Sequence, residues 1–130
     1  MTFEEYQEAA RRTQNKALNL YKTRLHCLFG LAAEAGEIFD LYQKQLQGHT
    51  FEEGQLKMEI GDVLWMISEL CDCYGWTLTE VAEANLAKLR VRYPHAFSPA
   101  QSIHRIEYRQ RVKKLPGIKA LHYAQGEGHK

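Results

Sequence analysis

A chain of 130 residues, 45 % apolar and 25 % charged, has room for one domain built on one modest core. Its net charge of +1 provides no global field for nucleic acid or an anionic membrane, and no apolar run approaches the roughly 18 residues that cross a bilayer. The three cysteines, Cys27, Cys71 and Cys73, are odd in number and lack four-ligand spacing, which argues against a disulfide framework and a structural zinc site, so they read as reduced thiols.

The N-terminal stretch MTFEEYQEAARR is acidic and amphipathic and has no signal-peptide h-region, so a cytoplasmic location is expected. All three prolines, Pro94, Pro99 and Pro116, fall in the last third, which leaves residues 1–93 without the strongest helix breaker. Four helices are predicted there. The first runs from about Thr2, a suitable N-cap, to about Asn15. The second runs from about Thr23 to Leu46 and is closed by QGHT. The third opens near Phe51 and ends at YGW, with Gly75 in the C-cap region. The fourth opens at TLTEVAEAN, where Thr77 and Glu80 make a capping box, and stops before Pro94. No segment alternates as a strand and no repeat is present. The fold class is all-α, a four-helix bundle over residues 1–103, followed by a basic, partly disordered extension over residues 104–130. So small a core favours a homo-oligomer.

On a helical wheel the third helix is anomalous. With Glu59 at zero, Val63 falls at about 40°, Met66 at about −20°, Leu70 at about 20° and Asp62 at about −60°. An acid thus occupies the middle of the apolar stripe. The second helix repeats this: around Glu34, Ile38 lies at about 40°, Leu41 at about −20° and Glu37 at about −60°. The fourth does so with an amide, Asn85, flanked by Leu78, Leu89, Lys88 and Arg92. An unpaired buried carboxylate costs several kcal/mol or becomes protonated, and facing carboxylates also repel. Lys88 and Arg92 are the only bases on these faces, so a divalent cation is the simplest remedy. The donors are all hard oxygens, with no histidine at helical spacing, which favours magnesium, manganese or calcium over zinc or copper. The Glu-x-x-His pattern of di-iron bundles is absent. Magnesium combines a few carboxylates with water and substrate phosphates, so the pattern points to phosphoryl chemistry.

The segments GLAAEAGEIFDLYQKQ, MEIGDVLWMISEL and EVAEANLAKLRVRYPHAFS together resemble the MazG-like nucleotide pyrophosphohydrolases, an all-α NTP pyrophosphatase group. The family pattern of Glu-x-x-Glu followed by Glu-x-x-Asp is matched by Glu34, Glu37, Glu59 and Asp62, and YQEAARRT resembles the short phage and bacterial members. The similarity covers roughly residues 3–103. It implies Mg²⁺-dependent (or Mn²⁺-dependent) hydrolysis of a nucleoside triphosphate to monophosphate and pyrophosphate, by water attack at the α-phosphorus. It implies that those four acids hold the metal and act in catalysis. It further implies that Asn85 and Lys88 contact phosphate or support the site, with Arg92 and Tyr93 matching the pattern more loosely. A homodimer or homotetramer is implied as well.

Blander roles compete for these residues. Single acids on helices are usually solvated; Asp40, off the stripe, is expected to pair with Lys44. Tyr6 and Thr13 on the first helix could line a nucleoside pocket by family analogy, and Trp65 could pack at a subunit interface, pack on that helix or stack on a base. Residues His104 to Lys119 carry six Lys or Arg and one Glu, which reads as a solvated extension rather than a nucleic-acid site. The alternative to an enzyme is a non-catalytic helical oligomerisation module that retains a structural divalent-metal site.

Overall fold

The computed structural model describes residues 1–103, which form five helices and no strand. These are α1 (Phe3–Arg11), α2 (Leu20–Leu46), α3 (Glu53–Asp72), α4 (Leu78–Arg92) and α5 (Pro99–Ile103). The expected all-α class holds. The basic segment from His104 onward lies outside the described residues. The chain divides into two compact units, Met1–Val81 and one that begins at Ala82.

Local chemistry sets the helix ends. The Thr2 hydroxyl accepts from Glu5 N–H while the Glu5 carboxylate accepts from Thr2 N–H, a reciprocal capping box. The box predicted at the fourth helix is also formed: Glu80 N–H donates to Thr77 at 3.0 Å and Thr77 N–H to Glu80 at 2.7 Å. Gly75 takes φ +67°, a conformation that strains other residues, and lets Trp76 N–H bond back to the Cys71 carbonyl at 3.0 Å.

Three ends differ from expectation, each because a side chain found a better partner. α2 opens at Leu20 rather than Thr23, since Asn19 accepts from Lys22 N–H at 2.9 Å and caps an extra turn. α3 starts at Glu53 because Phe51 turns back onto the Tyr42 ring, with centroids 5.0 Å apart. α1 stops at Arg11 because the following residues bond elsewhere. The Thr13 hydroxyl donates to Ala10 O at 2.8 Å and accepts from Trp65 Nε1 at 2.8 Å, and Gln14 Nε2 donates to Asp72 at 2.7 Å.

In the first unit α2 and α3 form an antiparallel hairpin across the short 47–52 connection. Cross-helix partners run in opposite order along the chain: Arg24 Nη2 bonds Cys73 O at 3.0 Å, and His26 faces Glu69 at 3.7 Å. Gly30 then meets Met66, and Tyr42 meets Phe51. Between these helices lie buried Cys27, Leu41, Met66 and Cys71. A Cβ placed on Gly30 would stand 2.4 Å from Met66 Sδ and 2.5 Å from Met66 Cε. Gly30 therefore permits the close helix approach one turn before Glu34.

A paired measurement checks this. At Gly30→Ala the added methyl displaces only the flexible end of buried Met66, at about 1 kcal/mol, against a gain of roughly 1 kcal/mol in helix propensity. The two nearly cancel, so the urea midpoint should stay close to that of the wild type at unchanged slope. Gly61 has nothing within 4 Å of its notional Cβ, so Gly61→Ala should raise the midpoint.

α1 is tied to α3 by a polar network. Gln7, only 4 % exposed, has both ends of its amide satisfied. Its Nε2 donates to Asp72 at 2.7 Å and to Trp76 O at 3.0 Å, and its Oε1 accepts from Leu78 N–H at 3.0 Å. Arg11 adds two bonds to Asp72, at 3.2 and 2.8 Å. The first turn of α4 is held there too, with the Thr79 hydroxyl donating to Glu4 and Leu78 buried.

In the second unit, Tyr93 follows α4 and packs against Phe97 with centroids 5.5 Å apart, and Arg92 lies 5.9 Å from the Tyr93 ring centroid. Ser98 caps α5, whose first residue is Pro99, where a missing N–H costs nothing.

Large apolar side chains remain uncovered: Phe29 is 71 % exposed, Phe39 72 % and Met58 69 %. No described helix is long and apolar enough to cross a membrane.

Candidate metal centre

The antiparallel register places Glu34 of α2 opposite Glu59 and Asp62 of α3. One carboxylate oxygen from each of the three lies within 4.8 Å of the others. Glu34 and Glu59 are half-buried and Asp62 is exposed. Glu59 and Asp62 are one turn apart on α3, so they share a face, and the Gly30–Met66 contact brings that face against α2. Glu37 stands one turn further along α2 and is exposed. It lies outside the group of three, although its charge reaches Glu59.

The electrostatics reflect this crowding. Partial burial, then the charges of Glu37, Asp62 and Glu34, push the Glu59 carboxyl above its usual range. Tyr6 of α1 is half-buried, and its phenol is raised by burial and then by the Asp62 charge, so α1 borders the same cluster. Trp65 lies one turn on from Asp62. Its indole N–H bonds Thr13, and its ring meets His26 edge-on at 6.3 Å.

Do these residues fit a divalent cation? The donors are all carboxylate oxygens, the hard set that Mg²⁺ and Mn²⁺ prefer. Opposite oxygens on Mg²⁺ are about 4.2 Å apart, twice the bond length of about 2.1 Å. The observed 4.8 Å span lies a few tenths of an ångström from that, within reach of small rotations of partly exposed side chains. The geometry and the mutual repulsion both suit a dication.

The other residues expected at the site lie on and just after α4. Asn85 is exposed, while Lys88, Arg92 and Tyr93 are half-buried. The wheel placed Asn85 in the middle of a buried stripe; its exposure differs because Val81, Leu86 and Val91 on the same helix are also uncovered. Asp40 pairs with Lys44 at 2.5 Å, as its spacing predicts.

Sequence reasoning missed two acids. Glu69 is 1 % exposed, and neither of its oxygens makes a well-formed hydrogen bond; His26 Nε2 is 3.7 Å away. Its only signal was a wheel position about −80° from Glu59, at the stripe's margin. Asp72 anchors α1, and no local pattern announces that, because its partners lie far away in the chain.

Comparison with known proteins bears on these features. Residues 22–97 match the model of the MazG nucleotide pyrophosphohydrolase domain, a span that contains all four acids. The Gene 37 protein of Mycobacterium phage L5 is 37 % identical over 68 residues, which make up 48 % of this chain and 60 % of that protein. The chain thus spans less than two thirds of that relative's length. No solved structure matches the chain. With its antiparallel α2–α3 pair and the match running through both acidic motifs, the chain belongs to the MazG nucleotide pyrophosphohydrolase domain family.

Proposed function

We propose that the protein is a Mg²⁺-dependent enzyme that hydrolyses a nucleoside triphosphate to its monophosphate and pyrophosphate, with Mn²⁺ able to replace Mg²⁺. The observation that carries this is the convergence of Glu34, Glu59 and Asp62 from two helices within 4.8 Å. Family membership supplies the reaction class.

In this reading Glu34, Glu59 and Asp62 hold the metal, and Glu37 is the fourth member of the set. A triphosphate near neutral pH carries about four negative charges, and four acids would repel it without cations. A cation held by these acids would supply that neutralisation and polarise the α-phosphorus for attack by water. Glu37 orients the attacking water and takes up its proton on a carboxylate oxygen, a role that its exposure and its position outside the group of three support. Asn85, Lys88, Arg92 and Tyr93 contact the substrate, with positions 85, 88 and 92 sharing one face of α4. Residues 1–103 form the catalytic domain, and the basic segment 104–130 is an appendage to it. The uncovered Phe29, Phe39 and Met58 support a homodimer or homotetramer.

Product identity tests the proposal. Purified protein with Mg²⁺ and a panel of nucleoside triphosphates should yield orthophosphate only after inorganic pyrophosphatase is added, and EDTA should abolish the signal. Direct release of orthophosphate, or activity indifferent to EDTA, would contradict it.

A further inference from the structure

We propose that the groove between α1 and the turn after α3 binds a small organic dication, an alkyl diammonium whose carbon chain lies on the Trp76 ring. The proposal is independent of the catalytic reading. The groove has a volume of about 460 Å³, within the range of small-molecule sites. α1 contributes Glu4, Glu8 and Arg11 to its lining, and the end of α3 and its turn contribute Asp72 and Trp76. Positions 4, 8 and 11 share one face of α1. Asp72 lies roughly 15 Å of helix beyond Asp62, so the groove is separate from the metal centre.

The walls are fixed before any ligand arrives. Buried Gln7 donates to the Asp72 carboxylate at 2.7 Å and to the Trp76 carbonyl at 3.0 Å, which pins the turn against α1. Arg11 donates to Asp72 and, at 2.6 Å, to Glu8. Tyr74 stacks on Trp76 with centroids 4.8 Å apart and planes 16° from parallel, and the Arg24 guanidinium lies 4.3 Å from the Tyr74 centroid. Trp76 stays 45 % exposed, so the indole is held in place with part of its surface uncovered. Walls set in advance lower the ordering cost of binding.

What these internal bonds leave over selects the ligand. The Gln7 amide and the Arg11 guanidinium spend donors on protein acceptors. Glu4 uses Oε1 toward Thr79 and Glu8 uses Oε2 toward Arg11, which leaves each a second oxygen to offer a ligand. Three carboxylates, Glu4, Glu8 and Asp72, against one guanidinium give the groove a net charge of −2. A compact metal ion does not suit them. Among the described residues, the three acids whose oxygens close to within 4.8 Å of one another are Glu34, Glu59 and Asp62, not those of the groove. Charge spread along a groove beside an indole suits an extended cation. Its N–H groups meet the carboxylates, and its methylenes and positive ends meet the ring. A quaternary ammonium brings no N–H donor, and a monocation leaves one negative charge unmet.

The full chain should be titrated with 1,4-diaminobutane near neutral pH, with EDTA present, by calorimetry for affinity and by NMR of the two indole N–H signals for location. The Trp76 signal should move and saturate with a Kd of about 1 mM or tighter, while that of Trp65 stays. Glu8→Gln, at an exposed position, should weaken binding by about fivefold, and Trp76→Leu by about tenfold. Tetramethylammonium should bind at least about fivefold more weakly than the diamine, and so should N-acetyl-lysinamide, a monocation that stands for the lysine of a protein partner. Several results would overturn the proposal: no saturation by about 10 mM, movement of Trp65 rather than Trp76, an affinity untouched by either variant, or either comparison cation binding as tightly as the diamine.

Discussion

Replacing Glu59 with Gln should lower Mg²⁺-dependent pyrophosphate release by about a hundredfold or more and weaken Mg²⁺ binding in parallel. Residues that merely support a metal ligand typically cost 10- to 100-fold in affinity or activity, on the order of magnitude, when they are altered. Glu59 is expected to be a ligand itself, so its loss should be at least as severe. It also feels all three of its acidic neighbours, which makes it the electrostatic centre of the group. The amide keeps the shape of the side chain and removes the charge, so an effect would report charge rather than packing. Because Glu59 is partly exposed and its carboxyl is raised in the metal-free protein, folding of the apo form should tolerate the change. Glu37→Gln should separate the roles: if Glu37 handles the proton of the attacking water, kcat falls while Mg²⁺ affinity is largely kept. Equal loss of metal affinity in both variants would make Glu37 a ligand instead.

The largest effect on stability is expected at Asp72. Asp72→Ala removes the acceptor used by Gln7, Arg11 and Gln14. Arg11 is half-exposed and can turn to Glu8, already 2.6 Å away, so its loss is cushioned. Gln7 cannot do the same, because it is buried. A cost of about 2 kcal/mol follows, from leaving one Gln7 amide hydrogen without its acceptor and from the lost bonds of Arg11 and Gln14, and unfolding in urea measures it. The acid also gives a pH signature. Burial by itself would raise the Asp72 carboxyl, but bonds from Arg11, Gln14 and Gln7 outweigh it and hold the group below the usual aspartate range. The unfolded chain then takes up this proton at a higher pH than the folded one. The stabilisation is fully present above the unfolded value and is lost as pH falls through the folded value. Wild type should therefore lose stability as pH falls below about 4, and Asp72→Asn should show a flatter acid limb. Parallel acid limbs would remove Asp72 from the account.

How far the sequence reveals this protein depends on how local each feature is. The N-cap at Thr2, the capping box at Thr77 and the stop at Leu46 are read from neighbouring residues, and they form where expected. The ends at Thr13, Asn19 and Phe51 depend on choices between local and distant partners. Phe51 and Thr13 are claimed by Tyr42 and Trp65, which no wheel can anticipate. The paired acidic motifs are visible because i, i+3 spacing fixes which side chains share a face. Which acids actually meet is a property of the crossing between two helices. Glu34 meets Glu59 and Asp62 one turn on from the Gly30–Met66 contact, and Glu37 stands one turn beyond. Glu69 and Asp72 escaped notice because a single apolar stripe was followed, while their roles depend on α2 and α1.

The claim on which the functional reading rests is that acids from α2 and α3 share one divalent cation. The most direct measurement is the anomalous scattering of Mn²⁺ in crystals of the protein grown with that ion. The account predicts a Mn²⁺ peak within coordination distance of carboxylate oxygens of Glu34, Glu59 and Asp62. Well-ordered density for those three side chains with no manganese between them, or with manganese held elsewhere, would contradict it.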